Sequence, residues 1–393
     1  MQYRRFGRTE LQIPVFSCGG MRYKHSWQDV PQSSIPGKNQ ENLDATIHRA
    51  VDHGINHIET ARGYGTSEIQ LGKVLPTFDR DRIIVQTKVT PREDPKEFLA
   101  TFEKSIKNLQ MDYVDLLGIH GINTHELLDI TLRPGGCMDV VRDLQRQGRV
   151  RHVGFSTHGP TDVIVDTVKS GQFDYMNLHW YYILQNNWPA IAAAQNHDVG
   201  VFIISPSDKG GHLYAPPPKL VDLCAPLSPM VFNDLFCLSH AQVHTLSLGA
   251  ARPSDFDEHM KVLPLLAQTD KVLPPILERL ERRAIATLGE TWYKTWDVGL
   301  PKPTDTPGNL NIQVMLWLGN LMDAYDMTEF AAARYNLLGG GGHWFPGARA
   351  ENLAALDLRR CLEHSPHQDV IPQRLADIHQ RLAGAKVKRL SES

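Results

Sequence analysis

The sequence predicts a (β/α)8 barrel, the TIM-barrel architecture, followed by a mostly α-helical C-terminal extension. Short runs of β-branched and other apolar residues alternate with amphipathic helical segments, and eight such β/α units can be counted before about residue 269. Buried strands separated by helices indicate a parallel sheet. Eight units in roughly 250 residues are typical of a closed barrel. After residue 269 the alternation stops, so a separate helical region is expected.

The elements follow from this pattern in chain order. The predicted strands are residues 15–17, 55–58, 83–86, 114–119, 152–155, 175–178, 201–204 and 244–248. The helices expected after them are residues 42–52, 67–74, 95–109, 138–147, 162–170, 188–196, 232–239 and 254–267. Residues 3–14 predict a hairpin that closes the base of the barrel.

Two domains are expected, a barrel at residues 1–268 and a helical domain at residues 269–393. Apolar residues at helical spacing define the helices of the second domain. They are residues 277–288, 314–325, 329–337 and 371–382.

Composition excludes several classes of function. Lys and Arg total 41 against 44 Asp and Glu, a net charge of −3 without clusters, so no nucleic-acid partner is expected. The apolar runs are shorter than a membrane span, so no membrane partner is expected. Five cysteines without a Cys-x-x-Cys motif, and no apolar signal core after Met1, indicate a reducing and cytoplasmic setting.

Four ionisable residues follow three consecutive predicted strands. Glu59 and Tyr64 follow the strand at 55–58, Lys88 the strand at 83–86, and His120 the strand at 114–119. Because catalytic groups of such barrels lie where strands end, we expect these four to converge. Taken singly, each is more often a loop aromatic, a solvated charge or a structural histidine. Their joint placement favours a catalytic site.

These residue types fit proton transfer to a carbonyl oxygen. A free phenol has a pKa of about 10 and is a poor acid at neutral pH. We expect the Lys88 ammonium to lower the pKa of Tyr64, with Glu59 keeping Lys88 charged. His120 is expected to orient the carbonyl oxygen beside Tyr64.

Several segments resemble the aldo-keto reductase family over about residues 1–265. They are Phe-Gly-Arg-Thr at 6–9, Glu-Thr-Ala and Tyr-Gly within 54–68, Gln-Thr-Lys at 86–88, residues 112–120 ending in His120, and Val-Gly-Phe-Ser at 153–156. The resemblance implies that Tyr64 is the general acid, Lys88 its pKa partner and His120 the group that orients the carbonyl. The family usually has Asp at the position of Glu59.

The same resemblance implies a nicotinamide cofactor, NADPH with NADH as the alternative, bound without a Gly-x-Gly-x-x-Gly motif. Ser156 and Asn177 match residues that hold the carboxamide, and residues 205–210 match the pyrophosphate loop. Arg252 suits a 2′-phosphate, although an ordinary surface arginine fits the sequence as well. The expected cofactor-binding residues are Met21, Ser156, Asn177, Ser205, Ser207, Lys209, Gly210, Gly249, Ala251, Arg252 and Glu258.

The extension resembles one branch of the family, which appends a ferredoxin-like helical domain with a Cys-x2-Cys-x2-Cys-x3-Cys-Pro run. The matching stretch, residues 355–366, contains Cys361 alone, and Ser365 precedes the proline. Four thiolates normally hold such a cluster, so no iron–sulfur cluster and no other metal is expected. Aromatic residues are expected to form the core of this domain, with a cap over the substrate pocket as the alternative: Trp292, Trp296, Trp317, Tyr325, Trp344 and Phe345.

The sequence therefore predicts an NADPH-dependent enzyme that reduces an aldehyde or ketone to an alcohol, or runs the reverse reaction. Its partner would be a small-molecule carbonyl substrate, in a pocket shaped by loops 26–39 and 125–136 and by the aromatic run Trp180-Tyr181-Tyr182. The alternative is a non-catalytic NADP(H)-binding regulatory or interaction subunit. In that case a protein partner would dock through the C-terminal domain.

Overall fold

A computed structural model describes residues 1–340 and 345–387. The strands in these ranges are β1 (Tyr3–Arg5), β2 (Gln12–Pro14), β3 (Phe16–Gly19), β4 (His57–Glu59), β5 (Ile84–Val89), β6 (Val114–His120), β7 (Val150–Ser156), β8 (Tyr175–Leu178), β9 (Gly200–Ile203) and β10 (Thr245–Leu248). The α-helices are α1 (Gly37–Asp52), α2 (Ser67–Val74), α3 (Pro95–Leu109), α4 (His125–Leu132), α5 (Cys137–Arg146), α6 (Thr161–Lys169), α7 (Trp188–Asn196), α8 (Pro206–Lys209), α9 (Pro218–Cys224), α10 (Pro229–Ser239), α11 (Asp257–Met260), α12 (Thr269–Leu288), α13 (Glu290–Thr295), α14 (Ile312–Tyr325), α15 (Thr328–Tyr335) and α16 (Ile371–Leu382).

Strands β3 to β10 form a closed parallel barrel in the order β10-β3-β4-β5-β6-β7-β8-β9. Each strand pairs with its neighbours in sequence, and β10 returns to pair with β3. Every predicted strand overlaps one of these eight. The predicted (β/α)8 fold class is confirmed, and the carboxyl ends of all eight strands meet at one mouth.

The predicted hairpin is also confirmed, because β1 and β2 pair in antiparallel register. It carries Phe6 and Ile13 into a buried cluster with interior residues of the barrel, and the Phe6 ring lies 5.6 Å from that of Tyr175. Burying these side chains closes the base of the barrel with apolar surface. The opposite end stays available for chemistry.

Side chains along β5 alternate between the barrel interior and the surrounding helices. Thr87 donates a 2.7 Å hydrogen bond to the Glu68 carboxylate on α2, whereas Gln86 donates at 3.4 Å across the interior to Asn177 of β8. Lys88 lies two residues after Gln86. The two-residue period of a strand therefore places Lys88 on the interior side, nearer the mouth.

Helix boundaries are the main departures from prediction. The expected helix at 254–267 is wrong: α11 covers four residues, between 3-10 turns at Pro253–Phe256 and Leu263–Gln268. Pro253 and Pro264 have no N–H group to donate to the backbone hydrogen bonds of a helix. Each proline also disfavours the helical conformation in the residue before it. The loop expected at 125–136 contains α4, which begins at the capping side chain of Thr124.

The chain divides into two compact units. One joins Met1–Gly210 to Asn233–Thr269, and the other joins Gly211–Phe232 to the residues from Asp270 onward. The second unit thus includes a segment that the sequence analysis assigns to the barrel domain. The division at residues 268 and 269, and the ferredoxin-like identity of the extension, remain predictions.

The second unit has an aromatic core, as expected from its sequence. Trp292, Trp317, Tyr325 and Phe345 are buried, and Trp296 is partly exposed. The Trp292 indole donates a 2.8 Å hydrogen bond to Asn320, which satisfies its buried N–H. Trp344, the sixth aromatic of the prediction, lies outside the described residues.

Apolar helices of the described chain do not reach membrane-spanning length singly. Helices α9 and α10 taken together have the length and apolar composition of a membrane span, but they are bent by 49° relative to each other.

Two strand glycines make room in the barrel interior. A Cβ atom at Gly154 would lie 2.5 Å from the Tyr175 ring, and one at Gly118 would lie 2.9 Å from Cγ of Lys88. These glycines let a large ring and a lysine occupy the interior next to β6 and β7.

Gly154→Ala is expected to lower the free energy of unfolding by about 1–3 kcal/mol, because the buried Tyr175 ring has no room to move away. Urea unfolding measures the change. Gly37→Ala at the start of α1 is the control, since an added Cβ there has nothing within 4 Å. An unchanged stability of Gly154→Ala would contradict this packing.

Candidate active site at the barrel mouth

The four predicted catalytic residues lie on three adjacent strands of the mouth. Glu59 is the last residue of β4, Lys88 lies in β5, and His120 is the last residue of β6. Tyr64 lies in the short connection between β4 and α2. The closed parallel barrel brings these positions together although they are spread over 62 residues of sequence.

Lys88 is the centre of this group. Its ammonium nitrogen forms an ion pair with the Glu59 carboxylate, donates to the Thr60 carbonyl at 3.0 Å and donates to the Tyr64 hydroxyl at 3.4 Å. The side chains of Lys88 and Glu59 are 2% and 4% exposed. These three oxygen atoms provide one acceptor for each N–H proton of the buried ammonium.

Glu59 fits although it is one methylene longer than the usual Asp. Its Oε2 atom accepts from the Ser247 hydroxyl at 3.5 Å. A Cβ atom at Gly19 would lie 3.4 Å from the same oxygen and 2.6 Å from Ser247 Oγ, so the missing side chain leaves space for the carboxylate. The carboxylate–ammonium pair is therefore kept with the longer acid.

Tyr64 differs from expectation in its acidity. Burial raises the pKa of Tyr64 to about 12. The expected lowering of the Tyr64 pKa is wrong, because burial withdraws the phenolate from water and so disfavours it. Tyr64 accordingly carries its proton at neutral pH.

Aromatic contacts fix the orientation of Tyr64. Its ring meets the His120 imidazole edge-on at 5.9 Å, and it meets the Trp27 indole edge-on at 6.4 Å. His120 thus stands beside the phenol, on the strand next to Lys88. The structure brings all four predicted groups to one place.

A buried carboxylate that the sequence analysis did not single out holds the Tyr64 loop. Glu68 is fully buried and accepts hydrogen bonds from Arg62 at 2.9 Å and Thr87 at 2.7 Å. The Arg62 backbone also donates to the Lys88 carbonyl at 2.9 Å. The loop on which Tyr64 lies is tied in this way to the strand of Lys88.

The predicted cofactor residues lie on β7 and β8 and in the segments that follow β3, β9 and β10. Ser156 and Asn177 are directly paired across β7 and β8. Ser156 is 5% exposed and accepts from the Gly121 N–H at 3.1 Å. The Asn177 Nδ2 atom is buried without a hydrogen-bond partner among residues 1–340 and 345–387. An unsatisfied amide at this place is suited to a ligand with a polar acceptor.

The loops after β9 and β10 follow neighbouring strands, and the loop after β3, on the other side of β10, contacts both of them. Ser205 adopts a left-handed backbone (φ 54°) and leads into α8, which carries Ser207 and Lys209 and ends at Gly210. From the loop after β3, which carries Met21, Arg22 pairs with Asp208 at 3.3 Å. The Arg22 side chain also passes Gly249, where a Cβ atom would lie 3.3 Å from its Cγ.

The outermost predicted residues already have protein partners. Arg252 is 72% exposed and pairs with Asp255 at 3.0 Å, and the Ala251 N–H donates to the same carboxylate at 2.9 Å. Glu258 pairs with Lys261 at 2.5 Å. These residues lie beyond β10, which is separated from β4 by β3.

The comparisons with known proteins agree with this geometry. A family model described as "Aldo/keto reductase family" matches residues 17–214, half of the chain, including all four catalytic candidates. The chain belongs to the aldo/keto reductase family. Members of this family are oxidoreductases that generally use NAD(P)H.

Two curated relatives are similar in sequence. The L-glyceraldehyde 3-phosphate reductase of Escherichia coli K12 is 24% identical over 232 residues, covering 53% of this chain and 62% of that protein. The L-galactose dehydrogenase of Arabidopsis thaliana is 27% identical over 225 residues, covering 53% of this chain and 66% of that protein. The matched region spans less than two thirds of either relative.

Among solved structures, the holo form of an aldo-keto reductase from Bacillus halodurans superposes with a TM-score of 0.59. It is 21% identical, and the match covers 71% of this chain and 96% of that one. This likeness supports the barrel fold.

Several polar residues of this aldo/keto reductase mouth were not predicted from sequence. His179, two residues after Asn177, contacts Lys209 at 3.1 Å and His158 at 2.5 Å, and the two imidazoles are stacked. His158 and His179 follow the ends of β7 and β8, so the rule that functional residues lie at strand ends could have predicted them too. Trp180 and Tyr181 are buried, and the Trp180 indole stacks on Phe236, so their part in shaping the substrate pocket stays a prediction.

Within residues 1–340 and 345–387, no three His, Cys, Asp or Glu side chains are grouped so as to hold a metal ion. Cys361 is partly exposed and its thiol contacts the Leu358 carbonyl at 3.2 Å.

Glu59→Gln is expected to lower the free energy of unfolding by about 3–5 kcal/mol, because it leaves the Lys88 ammonium buried without a carboxylate. Glu59→Asp keeps the charge and should retain most of the stability. Glu97→Gln on the exposed face of α3 is the control, with an expected change below about 1 kcal/mol. Equal unfolding midpoints for Glu59→Gln and Glu97→Gln would contradict a buried ion pair.

Proposed function

We propose that this protein is an NADPH-dependent reductase of aldehydes or ketones that also catalyses the reverse oxidation. The observation that carries the proposal is the buried ammonium of Lys88, which joins the Glu59 carboxylate to the Tyr64 hydroxyl. The named relatives act on a phosphorylated aldehyde and on a sugar. A carbonyl or alcohol substrate is consistent with both.

Each catalytic side chain has a distinct role in this proposal. Tyr64 gives its proton to the carbonyl oxygen as that oxygen gains negative charge. Lys88 stabilises the phenolate left behind, and Glu59 holds Lys88 in place. His120 donates to or orients the same oxygen from the neighbouring strand.

The residues of the remaining strands fit a nicotinamide cofactor. The bound nicotinamide supplies hydride to the carbonyl carbon or accepts it in the reverse direction. The unpartnered buried Nδ2 of Asn177, next to Ser156, suits the oxygen of a carboxamide. Lys209 and the pair of Arg22 with Asp208 lie where the pyrophosphate is expected. The exposed guanidinium of Arg252 suits a 2′-phosphate, which favours NADPH.

The non-catalytic alternative is not favoured, because it gives no reason for an ammonium, a carboxylate, a phenol and an imidazole to converge. The balanced charge and short apolar runs favour the absence of nucleic-acid and membrane partners, and the cysteine pattern favours a cytoplasmic setting. Docking of a protein partner on the C-terminal domain remains part of the alternative.

Tyr64→Phe is expected to lower kcat by about 10²- to 10⁴-fold, because it removes the transferred proton and little else. NADPH oxidation with a panel of aldehydes measures the loss, and NADPH titration by fluorescence should give an unchanged Kd. Tyr113→Phe, whose hydroxyl accepts from Arg151 near the start of β6, is the control. Full activity of Tyr64→Phe would exclude this mechanism.

The two reaction directions should respond differently to pH. Alcohol oxidation requires the Tyr64 phenolate, and with a pKa of about 12 its population rises tenfold for each pH unit through neutrality. We expect log kcat for oxidation to rise with a slope of about 1 between pH 6 and 9. Reduction uses the protonated phenol, so kcat for reduction should not fall through deprotonation of Tyr64 between pH 6 and 9. A plateau of the oxidation rate near neutral pH would indicate a lowered Tyr64 pKa.

A further inference from the structure

The loop between β3 and α1 places a lysine and an indole beside the catalytic tyrosine. The Lys24 ammonium lies 3.4 Å from the centre of the Trp27 ring and donates to the Met21 carbonyl at 3.1 Å. Trp27 in turn meets Tyr64 edge-on at 6.4 Å, and Tyr64 meets His120 in the same manner. These side chains form one continuous wall, which we call the Lys24 wall, comprising Lys24, Trp27, Tyr64 and His120.

This wall is held in place by the loop that carries Tyr64. The Ser26 N–H donates to the Thr66 hydroxyl at 3.0 Å, and the Thr66 N–H donates back to the Ser26 carbonyl at 3.0 Å. A Cβ atom at Gly65 would lie 2.0 Å from that carbonyl oxygen, so the two loops are in direct backbone contact. Trp27 is therefore fixed next to Tyr64 before any ligand binds.

The acidic residues near Lys24 are bound to other cations. Asp29 is the sole acidic residue between positions 20 and 36, and it accepts from Arg62 and Lys104. Asp208 pairs with Arg22. Among the residues that the structure describes, Lys24 has a carbonyl and an indole face as partners but no carboxylate.

The ammonium of Lys24 is thus uncompensated. Burial and the neighbouring charge of Arg22 lower the pKa of Lys24 to about 8. Withdrawing a cation from water beside a second cation is unfavourable unless an anion is supplied.

We infer that Lys24 and Trp27 form the subsite for an anionic group of the substrate, so that the preferred substrate is an aldehyde or ketone carrying a phosphate or a carboxylate. This inference rests on the proposed carbonyl reduction. Lys24 would pair with the anion, and Trp27 would pack against the carbons between the anion and the carbonyl that faces Tyr64. The subsite lies on the β3 loop, opposite the strands β7 and β8 that carry Ser156 and Asn177.

Two matched pairs of substrates test the inference and separate the two anions. Glyceraldehyde 3-phosphate is compared with glyceraldehyde, and succinic semialdehyde with butanal, in wild type and in Lys24→Met. We expect kcat/KM for at least one anionic member to fall 10-fold or more in Lys24→Met, through KM. The uncharged members should change less than twofold, and so should the KM for NADPH. Lys107→Met on the exposed face of α3 is the control.

Ionic strength provides a second readout. Raising salt should lower kcat/KM of wild type for the anionic substrate, because screening weakens the attraction of the ammonium. Lys24→Met should have lost most of this dependence. An equal fall of kcat/KM for charged and uncharged substrates in Lys24→Met would overturn the inference. So would a change in the KM for NADPH alone. In the latter case the anion at Lys24 is the cofactor's own phosphate.

A binding measurement distinguishes failure of this inference from failure of the proposed function. Calorimetric titration of the NADP⁺-loaded protein with glyceraldehyde 3-phosphate and with succinic semialdehyde needs no turnover. Saturable binding that Lys24→Met weakens 10-fold or more supports the subsite even if no aldehyde is reduced. Turnover of uncharged aldehydes without any preference for the anionic ones contradicts the subsite and leaves the reductase assignment intact.

Discussion

The buried ammonium of Lys88 is the constraint on which the rest of the site depends. An unpaired charge in the interior of a barrel is costly, so the fold must supply oxygen partners around it. It does so from three directions, with the Glu59 carboxylate, the Thr60 carbonyl and the Tyr64 hydroxyl. Satisfying the lysine therefore places the phenol within reach of it. Stability and catalytic geometry come from the same set of contacts.

Space for this arrangement is provided by residues that have no side chain. Gly118 leaves room for the Lys88 stem, Gly154 for the Tyr175 ring, and Gly19 for the longer carboxylate of Glu59. A barrel interior is densely packed, so charged groups enter it only where neighbours are small. The glycines of β3, β6 and β7 thus decide which polar side chains the interior can hold. Gly19 in this way makes room for Glu59 in place of the usual Asp.

The mouth of the barrel has two regions with different kinds of side chains. In the proposed mechanism, strands β4 to β6 carry the groups that would exchange a proton, and strands β7 to β10 with β3 carry those that would hold the cofactor. The loop after β3 belongs to both halves, since Arg22 reaches towards Gly249 while Trp27 contacts Tyr64. A single loop is consequently in a position to affect both cofactor affinity and substrate choice.

The eight-unit barrel, its hairpin base and the meeting of four ionisable residues at neighbouring strand ends could be predicted from the sequence, because hydrophobic period and strand-end position are local properties of the chain. The break in the segment 254–267, with turns at Pro253–Phe256 and Leu263–Gln268, was missed although its local cause, Pro253 and Pro264, is present in the sequence. The acidity of Tyr64, the unsatisfied amide of Asn177 and the uncompensated charge of Lys24 were decided by the tertiary structure alone. Each depends on burial and on which partners are already taken, and both are set by residues distant in sequence.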